Sequence, residues 1–212
     1  MKLLLVMKIL LVYAIPEEKI EINIPNAEVI YVETGMGKVN ASMRLMRAIC
    51  EYHPDMVINA GSAGTLNHKV GDIIVCNRFI DRDLRKVTID GVVSEISFPN
   101  ITETFDSLPC RDAIHRISSE DAMNRVCTAY YWNGTCNTGD SFITEGNDIE
   151  GDVIDMESYA EADVCREMGV PFFAVKYVTD IVGQNSSQEW FAKLADAREG
   201  LTAYFQSLVF NR

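Results

Sequence analysis

DMESYAEADVCREMGVPFFAVKYVTDIVG, residues Asp155 to Gly183, joins a helix to a buried strand and sets acidic residues before the helix and after the strand. Behind Met156, the apolar positions Tyr159, Ala160, Ala162, Val164, Cys165 and Met168 give a loose helical face, and Gly169-Val170-Pro171 stops the helix. From Pro171 to Val178, the residues Phe172, Phe173, Ala174, Val175, Tyr177 and Val178 make a near-continuous apolar run. That is the pattern of a strand in a parallel sheet covered on both faces. Open α/β sheets bind ligands in the crevice beyond the carboxyl ends of such strands. Thr179-Asp180 falls at that end, so Asp180 is a catalytic candidate, although the position equally suits a helix N-cap.

Outward from this stretch, a chain of 212 residues predicts one domain, residues 1–212, with one substantial core. The formal net charge of −12 argues against a nucleic-acid or anionic-membrane partner, because neutralising phosphates needs a basic surface. Arg78, Arg82, Arg85 and Lys86 form the longest basic cluster, but Asp81 and Asp83 interleave it, which predicts a solvated face. The six cysteines contain no CxxC pair and the three histidines are dispersed, so no disulfide framework, metal site or cofactor is expected. Reduced thiols point to a cytoplasmic protein. MKLLLVMKILLVYAIP at the start has an apolar run, but Lys8 interrupts it and no small-x-small cleavage site follows. Lys8 to Ala14 therefore reads as the first buried strand, and the near-repeat of MKLLLV by MKILLV leaves Met1 and Met7 both open as starts.

Ile15-Pro16-Glu17-Glu18 then breaks the apolar run and puts two acids at a strand's carboxyl end. Extended segments are expected at Ile20–Ile24 and Ala27–Val32. A glycine turn at Thr34–Lys38 leads into a helix from about Val39 to Tyr52, with Met43, Met46, Ala48 and Ile49 facing inward. Asp55–Asn59 reads as a second buried strand, and Ala60-Gly61-Ser62-Ala63-Gly64 as a glycine turn that allows positive φ and close approach of a ligand. Gly71–Phe79 predicts a strand, Lys86–Ile96 a hairpin around Asp90-Gly91, Ser97–Cys110 a loop and Arg111–Val126 a helix. Thr128–Asn137 reads as a strand followed by a loop through Phe142. A last helix starts near Ser186, with Glu189 completing a capping box and Trp190, Phe191, Leu194, Ala195, Leu201, Phe205 and Leu208 as its buried stripe.

Five of these pieces, in order, resemble the nucleoside phosphorylase and nucleosidase superfamily, most of all its methylthioadenosine/S-adenosylhomocysteine nucleosidases. They are MKILLVYAIPEE (Met7–Glu18), ETGMGKVNA (Glu33–Ala41), DMVINAGSAGTLNHKVGDIIV (Asp55–Val75), TGDSFI (Thr138–Ile143) and the stretch from Asp155 to Asp180. The resemblance implies a three-layer α/β/α fold around a central twisted mixed sheet, with the site at strand ends. It also implies a homodimer whose neighbouring subunit helps to close the pocket.

Carried over residue by residue, the resemblance makes Asp180 the acid that protonates a purine base and contacts its 6-amino group. Glu157 would accept hydrogen bonds from the ribose hydroxyls, with Met156 packed on the sugar, and Glu18 would hold the attacking water. Phe142 would stack on the base, the backbone of Ile143 would bond to it, and Ser62 and Gly64 would line the sugar and water region. Ile15, Met36, Trp190 and Phe191 are candidates for an apolar 5′ pocket. Each has a plainer alternative: Glu157 as an acid favoured at a helix N-terminus, Glu18 as a solvated acid, and Met156 and the apolar set as ordinary core. The implied activity is hydrolysis of the N-glycosidic bond of a 6-amino purine nucleoside. A phosphorylase is the main alternative, but Asn59 stands where phosphorylases carry a phosphate-binding arginine, and Ala14–Glu18 is acidic where their phosphate loop lies. A hydrolase for another nucleoside such as futalosine, or a binding protein without turnover, are further readings. Lys176 stands where an arginine is common in the family.

Overall fold

The computed structural model describes residues 6–24, 26–87, 89–99, 130–143, 149–183 and 185–210. In chain order they form β1 (Met7–Tyr13), β2 (Ala27–Glu33), α1 (Lys38–Tyr52), β3 (Met56–Thr65), β4 (Ile73–Asp81) and β5 (Glu95–Ser97). Then follow β6 (Tyr130–Thr138), β7 (Val153–Asp155), α2 (Ser158–Met168), β8 (Phe172–Ile181) and α3 (Ser186–Phe210). Single 3₁₀ turns span Pro16–Glu18 and Leu84–Lys86.

The strands make one mixed sheet. β2, β1, β3 and β8 run parallel to one another, whereas β8 pairs antiparallel with β4. β4 continues in parallel to β6, β6 to β7, and β7 returns to β3 through the pair Gly64–Ile154. The sheet therefore curls until β3, β8, β4, β6 and β7 close a ring. Helices cover both sides. Leu45, Ala48 and Ile49 of α1 and Tyr159, Ala162 and Cys165 of α2 pack on one face with Leu10, Val57 and Phe79. Ala197, Leu201, Tyr204 and Phe205 of α3 pack on the other with Ile9, Ile58 and Val175. This is the expected α/β/α arrangement, and the apolar run of β8 is apolar because alternate residues serve the two cores. Gly200 permits α3 to lie close, since a Cβ there would meet the Tyr177 ring at 2.4 Å.

Several local expectations need correcting. Ala60–Gly64 is not a turn: β3 runs through it to Thr65, with one irregularity at Ala63/Gly64. Met43 and Met46 point outward, 62% and 37% exposed, while Ala41 and Leu45 take the inward positions. The capping box at α3 does not form, because the Ser186 hydroxyl accepts from the Gly183 amide and donates to the Ile181 carbonyl instead. Phe191 and Ala195 are exposed, and Ala197 and Tyr204 are buried in the α3 stripe. The loop and helix expected over 97–126 fall almost wholly outside the described residues, as does the side chain of Leu208. Among the described residues, no helix is long and apolar enough to cross a membrane.

Candidate active site

The carboxyl ends of β1, β3, β7 and β8 surround a cavity of about 350 Å³. Asp180 enters it from the end of β8, Glu157 from the residue before α2, and Glu18 from the 3₁₀ turn after β1. These acids are far apart in the chain, yet each is buried, between 3% and 7% exposed. Glu17, beside Glu18, faces solvent.

Glu18 is held by β3. The Ser62 amide donates to its Oε1 at 2.8 Å, the Ser62 hydroxyl donates to the same oxygen, and the indole N–H of Trp190 donates to that hydroxyl at 2.8 Å. Neither glycine of β3 adopts positive φ. A Cβ on Gly64 would crowd Asp180 Oδ2 at 3.1 Å, whereas one on Gly61 would stand in ordinary contact with Glu18 Oε1 at 3.4 Å.

Asp180 accepts a hydrogen bond from the Thr179 hydroxyl at 2.9 Å. Burial raises its pKa, partly opposed by the bond from Thr179. It belongs to β8 rather than to the start of α3, so it does not cap that helix.

Glu157 accepts from the Gly37 amide at 2.8 Å. Gly35 and Gly37 adopt φ of +78° and +85°, which only glycine takes without strain, and this conformation aims the Gly37 amide at the carboxylate. Glu157 also occupies the N-cap position of α2, so the helix-terminus reading stands beside the site reading, although its side chain makes no cap bond and the Ser158 amide donates to Asp155. Burial, with Asp155 adding to it and Lys176 opposing, pushes Glu157 up to about 8.

Behind these acids lies a buried ion pair: Lys176 Nζ is 2.8 Å from Asp155 Oδ2, and both side chains are 2% exposed. Burial opposes the Asp155 charge, but Lys176 and bonds from Ser158 and Thr138 bring its pKa down to about 2. Burial likewise opposes the Lys176 ammonium, yet Asp155 and its other neighbours raise its pKa.

Ser62, Gly64, Met156, Phe142 and Ile143 reach the cavity wall, and so do Ile15, Met36 and Trp190. Phe142 and Met36 stand at the mouth, 44% and 53% exposed. Phe191 does not reach it. Consecutive residues on a helix point about 100° apart, so with Trp190 turned inward Phe191 is left 70% exposed, its ring tilted against the indole at 6.4 Å.

The basic cluster also departs from expectation. Arg82 is 8% exposed and lines the cavity. Its two terminal nitrogens donate to the carbonyls of Asn137, Asp155, Gly139 and Ser141, which ties the Phe142 loop to β7. A Cβ on Gly139 would collide with it at 2.6 Å. Alternation with aspartates had suggested solvent, but Asp81 is itself buried and paired with Lys38 at 3.0 Å.

The phosphorylase superfamily model matches residues 18–207. The chain belongs to the phosphorylase superfamily. A 5′-methylthioadenosine/S-adenosylhomocysteine nucleosidase of Bacillus pumilus is 31% identical over 170 residues, covering 76% of this chain and 71% of that protein. The superfamily fold is also seen in solved structures of two Helicobacter pylori enzymes. A 5′-methylthioadenosine/S-adenosyl homocysteine nucleosidase there has a TM-score of 0.74 at 19% identity, over 95% of this chain and 96% of its own. A futalosine hydrolase has a TM-score of 0.73 at 18% identity, over 96% and 97%. Within this superfamily chain, sequence reasoning missed Arg82 and the fully buried Glu161, which accepts from Asn59 at 2.8 Å. The signal for Glu161 was available: it sits one helical turn after Glu157, on the face otherwise filled by apolar residues.

Proposed function

We propose that this chain hydrolyses the N-glycosidic bond of a 6-amino purine nucleoside, such as 5′-methylthioadenosine or S-adenosylhomocysteine, and releases adenine. The observation that carries the reading is the convergence of Glu18, Glu157 and Asp180 on one cavity from three remote segments. Asp180, whose pKa burial raises, donates its proton to N7 of the purine as the C1′–N9 bond breaks and the electron pair leaves with the base. Its carboxylate then pairs with the 6-amino group. Glu157 accepts hydrogen bonds from the 2′ and 3′ hydroxyls, and its ionised form stabilises the ribosyl cation. Glu18, fixed by Ser62, orients the water that bonds to C1′ and takes up the proton that water loses.

Water rather than phosphate suits the charge of this site. Arg82 is the only cation among the described lining residues, and its terminal nitrogens are committed to backbone carbonyls. Asn59 donates to Glu161 and does not line the cavity. The relatives named as nucleosidases support the same choice, and the identity of 31% to one of them supports the methylthioadenosine class.

The reading includes a homodimer. Met36 lines the mouth, and Val39 and Met43 follow it along α1, 76% and 62% exposed, an apolar strip continuous with the site. Light scattering is expected to give twice the chain mass, and Met43→Asp to halve it; a monomeric parent chain would contradict the dimer.

The function is tested by incubating the protein with methylthioadenosine, S-adenosylhomocysteine, adenosine, inosine and futalosine, with and without phosphate, and assaying free base by chromatography. Adenine release that ignores phosphate is expected. A phosphate requirement with ribose 1-phosphate as product would refute hydrolysis, and nucleoside affinity without base release would make this a binding protein.

A further inference from the structure

The alternation Asp81-Arg82-Asp83 at the end of β4 does more than present Arg82 to the cavity. Its two aspartates meet Lys38, the first residue of α1, whose ammonium is 3.0 Å from Asp81 Oδ2 and 2.8 Å from Asp83 Oδ2. Asp83 Oδ2 also accepts from the Asp140 amide at 3.2 Å. Asp140 in turn reaches Lys38, its Oδ1 accepting from the Lys38 amide at 2.8 Å. Three segments remote in the chain are thus closed into a ring of hydrogen bonds: Lys38 to Asp140, Asp140 to Asp83, and Lys38 to Asp83.

Two members of that ring adjoin groups that face the cavity. Asp140 stands two residues before Phe142, in a loop also held through the Gly139 and Ser141 carbonyls on Arg82. The Lys38 amide follows the Gly37 amide, which donates to Glu157 Oε1 at 2.8 Å. Two successive amides therefore reach two carboxylates, one on the Phe142 loop and one on the acid before α2. Gly37, at φ of +85°, gives the turn this direction, and a Cβ there would crowd Asp140 Oδ1 at 3.2 Å. The Asp140 carboxylate is thus packed against the backbone that aims an amide at Glu157. Its side chain is 54% exposed and does not line the cavity. The Lys38 and Asp140 charges are 3.9 Å apart and partly in water, where such a pair contributes little. The short bond from an amide to an ionised oxygen is the directional contact.

We propose that Asp140 is a positioning residue: its bond to the Lys38 amide clasps the Phe142 loop to the turn that holds Glu157, so that the base half and the sugar half of the site keep one spacing. This rests on the proposed reading, with Glu157 on the ribose and Phe142 on the base. Without the clasp the loop keeps its bonds to Arg82 but can shift against α1, and the Gly37 amide loses the neighbour that fixes its direction.

Asp140→Ala removes the acceptor from an exposed position, so the thermal melt is expected to stay close to the parent's. Loss of one partly exposed bond to an ionised acceptor is expected to lower kcat/KM for adenosine about tenfold. Two readouts locate that fall. On the base side, the inhibition constant of adenine, which has no sugar, rises about fivefold. On the sugar side, the preference for adenosine over 2′-deoxyadenosine narrows about fivefold, because a misaligned Glu157 gains less from the 2′ hydroxyl. A general loss of structure would weaken both nucleosides alike. Asp140→Asn offers the same amide an uncharged oxygen and recovers most of both readouts. A parental value for either readout overturns the clasp, and so does an Asp140→Asn protein as impaired as Asp140→Ala. A collapsed melt in Asp140→Ala makes the residue structural and overturns it too. Should no nucleoside release base, the hydrolase reading falls, and calorimetric Kd values for adenine, adenosine and 2′-deoxyadenosine decide the clasp by the same two comparisons. A parent chain that binds none of the three sinks both.

Discussion

Replacing Lys176 by methionine removes the only cation paired with Asp155 among the described residues while keeping most of the side-chain volume. The ion pair is 2.8 Å long, and both partners are 2% exposed. Breaking a buried pair by deleting one member costs about 3–5 kcal/mol, a large share of the roughly 5–15 kcal/mol by which a domain is folded. The pH dependence gives a sharper signature than the size of the loss. In the parent protein Asp155 falls from 3.8 to about 2, so it contributes stability above its unfolded pKa that is lost as pH falls toward 2. That contribution is about 2 kcal/mol. Without Lys176, burial dominates and the Asp155 pKa rises above its unfolded value. The variant is then least stable relative to the parent at neutral pH, and recovers as acid protonates the carboxyl. Urea unfolding at pH 7 and about pH 5 is expected to show a loss of about 3–5 kcal/mol that narrows at the lower pH. A loss below about 1 kcal/mol, or a gap independent of pH, would refute the assignment of Lys176 as the counterion that makes this acidic interior stable.

Asp180→Asn is expected to lower kcat by about 10²–10⁴-fold with little change in KM, because the proton is needed in the transition state; near-parental kcat in steady-state assays would remove Asp180 from the acid role. Gly64→Ala puts a Cβ 3.1 Å from Asp180 Oδ2. Displacing that carboxyl by a few tenths of an ångström is expected to cut kcat about tenfold while the thermal melt stays close to the parent's, and an unaltered kcat would show that Asp180 tolerates displacement. Trp190→Phe keeps an aromatic wall but removes the donor to the Ser62 hydroxyl that contacts Glu18. A fall of about fivefold in kcat is expected, the worth of one ordinary hydrogen bond, and parental kcat would confine Trp190 to packing.

The elements that were legible in sequence are those whose pattern is local. The apolar run Phe172–Val178 predicts a strand covered on both faces, and β8 does serve two cores. The glycines before α1 predict a turn, and both adopt positive φ. The glycines of β3 misled because the residue has two uses. Composition cannot distinguish a turn from a strand kept narrow at Gly64 so that Asp180 can approach it. Arg82 misled for a related reason: alternation with aspartates suggests solvent, but it arose from two buried functions, Asp81 pairing with Lys38 and Arg82 binding carbonyls around the cavity. Met43 and Met46 fit a helical stripe but lie just off it, where Ala41, Leu45 and Ala48 face the sheet. The ring formed when β7 rejoins β3 depends on single long-range pairs such as Gly64–Ile154, which leave no periodic trace in the chain.

A crystal structure of the Asp180→Asn variant with methylthioadenosine bound tests the convergence of the three acids most directly. It should place the purine N7 within hydrogen-bond reach of residue 180, both ribose hydroxyls on Glu157, and a water between Glu18 and C1′. A nucleoside seated with its sugar away from Glu157, or no water held by Glu18, would contradict the account.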